Sequence, residues 1–205
     1  MKTYVIKIDP KDPEKDGIES AAKAIREGKL VAFPTETVYG VAANFLDAKA
    51  IDKLYKIKNR PKDKPFTVHI ADIAMIEALG CSVSAESLRL ISKFWPGPLT
   101  VILRSGSDKT LGFRIPSNKV ALELIKAAAV PIVAPSANLS GNGAPVSAQE
   151  VLKDLDGKID ILLDSGKTDI GVESTVIDLT QEPPRILREG AITKAELAKF
   201  LKKSL

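Results

Sequence analysis

The sequence has one cysteine, Cys81, and one histidine, His69. A single thiol excludes an internal disulfide and a cysteine-rich zinc site, and it fits a reducing compartment. A single imidazole excludes two-histidine zinc motifs and haem attachment, and excludes a Ser/His/Asp relay unless His69 takes part. Aromatic residues make up 5% of the chain and form no cluster of the kind on which single-strand nucleic-acid binders stack bases. Long apolar runs are missing too: the longest, Ala127 to Pro135, is about half a membrane span and contains two prolines. Asp9, Lys11 and Asp12 interrupt any signal-peptide core, so the expected location is the cytoplasm, with no membrane partner.

What remains describes a globular chain. With 205 residues, 44% of them hydrophobic, it can fill a core without staples, and the absence of repeats, low-complexity tracts and long linkers predicts one domain spanning 1–205. Thirty basic against 26 acidic side chains give a formal charge of +4, a mild excess that suits anionic ligands but is far from the dense basic stripe of a dedicated nucleic-acid binder. Helical periodicity runs through Ile18, Ala21, Ala22 and Ile25, again through Ile51, Leu54 and Tyr55, and again through Ala121, Leu124, Ile125 and Ala128. Ser147 with Glu150 and Thr193 with Glu196 are capping-box patterns that predict two further helices, the second docked at the end of the chain. Short β-rich runs alternate with these: Leu30 to Phe33, Phe66 to Ile70, Leu99 to Arg104, Leu111 to Ile115, Ile132 to Ala134, Ile159 to Leu163, Thr175 to Leu179 and Arg185 to Arg188. The pattern predicts an α/β fold, a twisted mixed β-sheet flanked by helices, with the last two strands antiparallel.

Polar residues gather at strand ends, where open α/β sheets place their ligands. Thr35 and Thr37 follow an apolar strand and either hydrogen-bond a ligand or cap the turn. Lys58 continues an apolar helix face and Arg60 follows just before Pro61, so the two cations either complement the helix C-terminus or clamp a phosphate. Alternation sends Thr67 and His69 to the face opposite Phe66 and Val68. The same alternation sets Arg114 opposite Phe113 and Ile115, where an isolated arginine would ordinarily make a surface salt bridge. Pro135 to Gly141 offers hydroxyl, amide and backbone donors that suit a phosphate or ribose, or an ordinary loop. Gly166-Lys167-Thr168 imitates the end of a P-loop, but Ile161 stands where the first glycine belongs, and no G-x-G-x-x-G opens a helix, so neither a Walker-type NTPase nor a dinucleotide enzyme is supported.

Taken in order, P-T-E-T-V-Y-G at 34–40, K-N-R-P at 58–61, T-V-H at 67–69, W-P-G-P-L-T at 95–100, R-I-P at 114–116, S-A-N at 136–138, E-S-T-V at 173–176 and L-R at 187–188 resemble the YrdC-type threonylcarbamoyl-adenylate synthases. The resemblance implies a YrdC-like fold with a concave ligand cavity, and an enzyme that makes threonylcarbamoyl-AMP and pyrophosphate from L-threonine, bicarbonate or carbon dioxide, and ATP with Mg²⁺. A separate transferase would then carry the threonylcarbamoyl group to the tRNA adenosine beside the anticodon. It further implies that Lys58 and Arg60 are catalytic and bind ATP together with Lys64, Thr110, Ser136, Asn138, Ser147 and Arg188, and that Thr35, His69, Arg114 and Ser174 bind threonine; it assigns no side chain to the Mg²⁺. Three positions depart from the pattern: Lys64 where asparagine is common, Asn59 where glycine is common, and a loop at Ser105 to Lys109 that shifts the alignment around Thr110. The competing readings are a non-catalytic module contacting tRNA or double-stranded RNA, and a relative that forms carbamoyl-adenylate from carbamoyl phosphate.

Overall fold

The computed structural model describes residues 2–106 and 109–201. In chain order the elements are β1 (Tyr4–Lys7), α1 (Lys15–Arg26), β2 (Val31–Phe33), β3 (Gly40–Asn44), α2 (Ala48–Lys58), β4 (Val68–His69), α3 (Ala74–Ala78), α4 (Ala85–Phe94), β5 (Leu99–Ser105), β6 (Lys109–Arg114), α5 (Lys119–Ala128), β7 (Ile132–Val133), α6 (Ala148–Leu155), β8 (Ile161–Asp164), β9 (Thr175–Asp178), β10 (Arg185–Arg188) and α7 (Lys194–Leu201). The middle of the loop predicted at Ser105 to Lys109 lies outside the described residues. The fold is the α/β architecture predicted, with a mixed sheet in the order β1-β8-β2-β3-β7-β4-β6-β5-β9-β10.

Alternation along β2 builds a core on each face of this sheet. Val31 and Phe33 join a cluster with Ile18, Ala21, Ala22 and Ile25 of α1 and with Val120, Ala121, Leu124 and Ile125 of α5. Leu30 and Ala32 join the larger cluster, which takes Leu54 of α2, Leu90 and Ile91 of α4, Val151 and Leu155 of α6 and Leu197 of α7. Among the described residues no helix is long and apolar enough to cross a membrane.

The antiparallel pairing of β9 with β10 follows the sequence reading. Both capping boxes are present. Ser147 accepts from Glu150 N, while Glu150 accepts from Val146 N at 2.8 Å rather than from the cap itself. Thr193 and Glu196 cap each other reciprocally. Four elements escaped the sequence reading: β1, β3, α3 and α4. β3 is the informative case, because Gly-Val-Ala-Ala-Asn has little β propensity and becomes a strand by lying between β2 and β7. Gly40 opens it, and a Cβ there would press on the Phe33 ring at 3.3 Å.

Candidate active site

Four segments converge on one cavity of about 100 Å³, several times the ~10–15 Å³ that admits a single water. The β2–β3 turn supplies Thr35 and Thr37, β4 supplies His69, β6 supplies Arg114, and Glu173 and Ser174 precede β9. Arg60, Ser136, Thr67, Thr100 and Arg188 complete the lining named here.

The two threonines fold the turn by side-chain hydrogen bonds and also line the cavity. Thr35 Oγ1 donates its only proton to Val38 O at 2.6 Å, so the 2.8 Å contact with Thr37 Oγ1 must run from Thr37 to Thr35. Arg114 Nη2 in turn donates to Thr37 Oγ1 at 2.9 Å. The result is a one-way chain, Arg114 to Thr37 to Thr35 to Val38, that folds the turn and holds one edge of the guanidinium. Main-chain N–H groups of Thr37 and Val38 also point at Thr35 Oγ1, each at 3.2 Å.

Arg114 does not make the surface salt bridge that an isolated arginine would. It is 4% exposed, donates from Nε to Gly97 O at 3.2 Å, and meets Glu36 at 2.8 Å. Burial works against the cation and Glu36 restores it, while Arg188 is near enough to disfavour the charge further. His69 sits opposite Arg114 in the parallel β4–β6 register, so the two side chains share a face. Burial, and then Arg114, lower its pKa to about 3, the Thr67 carbonyl acting the other way, so the ring is neutral at physiological pH. Its Nδ1 is buried with no hydrogen-bond partner among the described residues.

On the same flank, Ser174 Oγ lies 3.0 Å from Thr100 Oγ1, and Arg188 closes over both. It reaches Ser174 O from Nε at 3.1 Å and Nη2 at 2.9 Å, and pairs with Glu173 at 2.8 Å.

The opposite flank carries Lys58 and Arg60. Asn59 ends α2 in the left-handed region at φ 49°, which asparagine tolerates better than most residues and which explains how it serves at a position where glycine would be at ease. This turn lays Arg60 over the Phe66 ring at 5.3 Å, with Phe66 stacked on Tyr55, and lets Nε donate to Lys64 O at 3.0 Å. Lys58 is 2% exposed and donates from Nζ to Ser136 O and Asn138 O, both at 2.6 Å. Burial, and then Arg60, bring its pKa down from 10.5 to about 8. Lys58 therefore grips the main chain behind Ser136 rather than lining the cavity. The loop it grips is held from the other side by Asp154, which accepts from Leu139 N at 2.8 Å and from Asn142 Nδ2; Asn138 Nδ2 donates to Asn142 O.

Of the residues named from the sequence, the cavity lining thus gathers Thr35, Arg60, His69, Arg114, Ser136, Ser174 and Arg188. Lys58 and Asn138 stand directly behind it. Ser147 lies outside the cavity lining and caps α6, its hydroxyl accepting from Glu150 N. Lys64 has an exposed side chain and contributes through its carbonyl, which accepts from Arg60 and from the Tyr55 hydroxyl. Thr110 is exposed, on the same face of β6 as Arg114 but about 13 Å further along the strand. The sequence reading missed Glu36, Tyr39, Thr100 and Glu173 as working parts. All four lie inside strings it quoted, P-T-E-T-V-Y-G, W-P-G-P-L-T and E-S-T-V, so the signal was their presence in those runs.

The charges divide the site. Arg114 and Arg188 are each matched by a carboxylate, whereas Lys58 and Arg60 hydrogen-bond to carbonyls and keep their charge in surplus. One flank therefore suits a zwitterion or a single carboxylate, and the other a polyanion.

The profile of the Sua5/YciO/YrdC family, described as telomere recombination, matches residues 23–190. The threonylcarbamoyl-AMP synthase of Pyrococcus abyssi is 47% identical over 193 residues, covering 90% of this chain and 57% of that protein. That of Bacillus subtilis is 44% identical over 200 residues, covering 93% and 57%. The crystal structure of P. abyssi Sua5 complexed with L-threonine superposes with a TM-score of 0.91 at 45% identity, over 97% of this chain and 61% of that one. This chain accordingly spans a little over half the length of these relatives. A match spanning residues 23–190, most of the chain, places it in the Sua5/YciO/YrdC family.

Proposed function

We propose that the chain is a threonylcarbamoyl-AMP synthase, using L-threonine, bicarbonate and ATP and releasing pyrophosphate. The observation that carries the reading is the charge division of the cavity, with a balanced flank fit for an amino acid beside a surplus-cation flank fit for a triphosphate. Threonine is the reading's amino acid because the balanced flank offers a guanidinium fork for a carboxylate and the Thr35, Thr37, Thr100 and Ser174 hydroxyls for its polar groups. The relatives named threonylcarbamoyl-AMP synthase, and the P. abyssi protein seen with L-threonine, support that choice.

The proposed reaction would use these groups as follows. Threonine's amine nitrogen attacks the carbon of bicarbonate-derived carbon dioxide and loses a proton, giving a carbamate. A carbamate oxygen then attacks the α-phosphorus of ATP in line, and the bond to the β-phosphate oxygen breaks to release pyrophosphate. Both partners are anions, so the protein's work is to hold them together against repulsion. Arg60 and Arg188 act as electrostatic stabilisers at the cavity, and Lys58 stiffens the loop that presents Ser136. A neutral His69 positions threonine rather than shuttling protons. Among the described residues no three His, Cys, Asp or Glu side chains form a metal-holding group, and Glu36 and Glu173 are committed to Arg114 and Arg188. In this reading Mg²⁺ arrives with ATP, and no step is assigned to it. The product would pass to a separate transferase that modifies tRNA beside the anticodon.

The test is pyrophosphate release from ATP and bicarbonate with and without L-threonine, repeated for Lys58→Ala and for Arg114→Lys, which keeps a charge opposite Glu36 but loses the fork. Threonine-dependent release that falls in both variants is expected. Release that ignores threonine, or salt-sensitive RNA binding with no release, overturns the reading.

A further inference from the structure

Glu36 is a buried carboxylate whose one ion-pair partner among the described residues is Arg114. Its side chain is 6% exposed, and its main-chain carbonyl is pinned by Ile170 N at 2.9 Å. One carboxylate oxygen, Oε1, forms an ion pair with Arg114 Nη2 at 2.8 Å; Oε2 has no hydrogen-bond partner among the described residues. On the arginine, the assigned protein contacts use Nε and Nη2: Nε to Gly97 O, Nη2 to Thr37 Oγ1 and Nη2 to Glu36. Nη1 has no acceptor assigned among the described residues, and Arg114 lines the cavity.

We infer that Glu36 is a positioning residue: it fixes the roll of the Arg114 guanidinium so that the Nη1 edge is the one offered to the carboxylate of an α-amino acid. A buried ion pair adds little net stability, because desolvation offsets the attraction, so the consequence of this one is directional. Gly97 O and Thr37 Oγ1 are neutral acceptors, and a guanidinium held by them alone could rock about its Cδ–Nε bond. The carboxylate adds a charge at Nη2 and opposes that rocking. It also leaves the pair neutral, so the flank takes a zwitterionic amino acid without carrying a surplus charge. The carboxylate itself stays behind the cavity wall, acting through Arg114.

The inference rests on the proposed function for its amino acid, and the experiment separates the two. Pyrophosphate release is measured for the wild type, Glu36→Gln and Glu36→Asp with threonine and ATP varied in turn, alongside thermal melting. Glu36→Gln should raise the threonine KM about tenfold or more, with the ATP KM held within about twofold and kcat within about threefold. Glu36→Asp, which keeps the charge one methylene further back, should recover part of the loss. A purely structural role would instead lower the melting temperature and move both KM values together. A wild-type threonine KM in folded Glu36→Gln overturns the inference and leaves the proposed function standing. If Glu36→Gln does not fold, a wild-type threonine KM in Glu36→Asp overturns it in the same way. If the wild type shows no threonine dependence, the proposed function fails, and the NMR signal of the Arg114 Nε–H decides the inference. Slow exchange in the wild type and faster exchange in Glu36→Gln or Glu36→Asp supports a fixed guanidinium; equal exchange overturns it.

Discussion

Replacing Lys58 with methionine keeps the length of the side chain and removes its charge and donors. In the wild type the ammonium is buried against Ser136 O and Asn138 O, and its pKa falls from 10.5 to about 8. Between those two values the unfolded chain holds a proton on Lys58 that the folded chain has released, so folding gains stability as pH rises through 8 and the gain is complete above 10.5. Worked through, Lys58 should add on the order of 2–3 kcal/mol to wild-type stability between pH 7 and pH 10, at about 1.36 kcal/mol per pKa unit. Other groups titrate in the same window, but they do so in both proteins, so the wild type minus Lys58→Met difference isolates this one. Urea melts of both proteins at half-unit steps from pH 7 to pH 10 provide the measurement. A difference that climbs with pH is expected. A flat or falling difference would refute the reasoning, because it would mean that the two carbonyls hold the charged ammonium more firmly than burial expels it.

Three further outcomes are expected. His69, with its pKa lowered to about 3, stays neutral while the unfolded chain protonates near 6.5, so the wild type should lose about 2 kcal/mol relative to His69→Gln between pH 8 and pH 5, read from denaturant melts; activity should show no step near 6.5 that His69→Gln abolishes. Tyr39→Phe removes the hydroxyl that donates to Gly166 O at 2.7 Å and accepts from Ser165 N at 3.2 Å, which should cost about 1–3 kcal/mol and speed hydrogen exchange at residues 165–171 while sparing α1 and α5. Serine lacks only threonine's methyl, so the ratio of kcat/KM for threonine over serine should fall between about 5 and 150, since one methyl is worth roughly 1–3 kcal/mol; a ratio near one would mean that no apolar wall contacts that methyl.

Much of this was legible in the chain itself. Helix α2 and the inward turn of Lys58 follow from Ile51, Leu54 and Tyr55, and both caps at Ser147 and Thr193 follow from a glutamate three residues on. The strings at 34–40, 67–69, 114–116 and 173–176 marked where the cavity would form. Pairings between distant segments were not legible. Nothing near Arg114 in sequence announces that Glu36, 78 positions earlier, would carry it into the interior, so the surface salt bridge was the natural expectation and burial replaced it. β3 was hidden for the same reason, since its strand character comes from its neighbours rather than from its residues. Thr110 and Lys64 show the reverse limit. A motif can align a residue with a site, but the length of β6 and the outward aim of a lysine decide whether it reaches.

The walls of the cavity come from β4, β6, the β2–β3 turn and the approach to β9, segments separated by up to about 140 positions and stitched by strands that are not consecutive. No short fragment of the chain assembles that pocket, because its walls are drawn from segments as far apart as Thr35 and Ser174. A molecule seated there acts as a keystone, drawing its hold from the finished arch and returning stability to all of it. At a hundred times its Kd such a ligand would lift the whole domain by about 2.7 kcal/mol, and exchange deep in α1 and α5, far from the binding groups, should slow along with that of the rim.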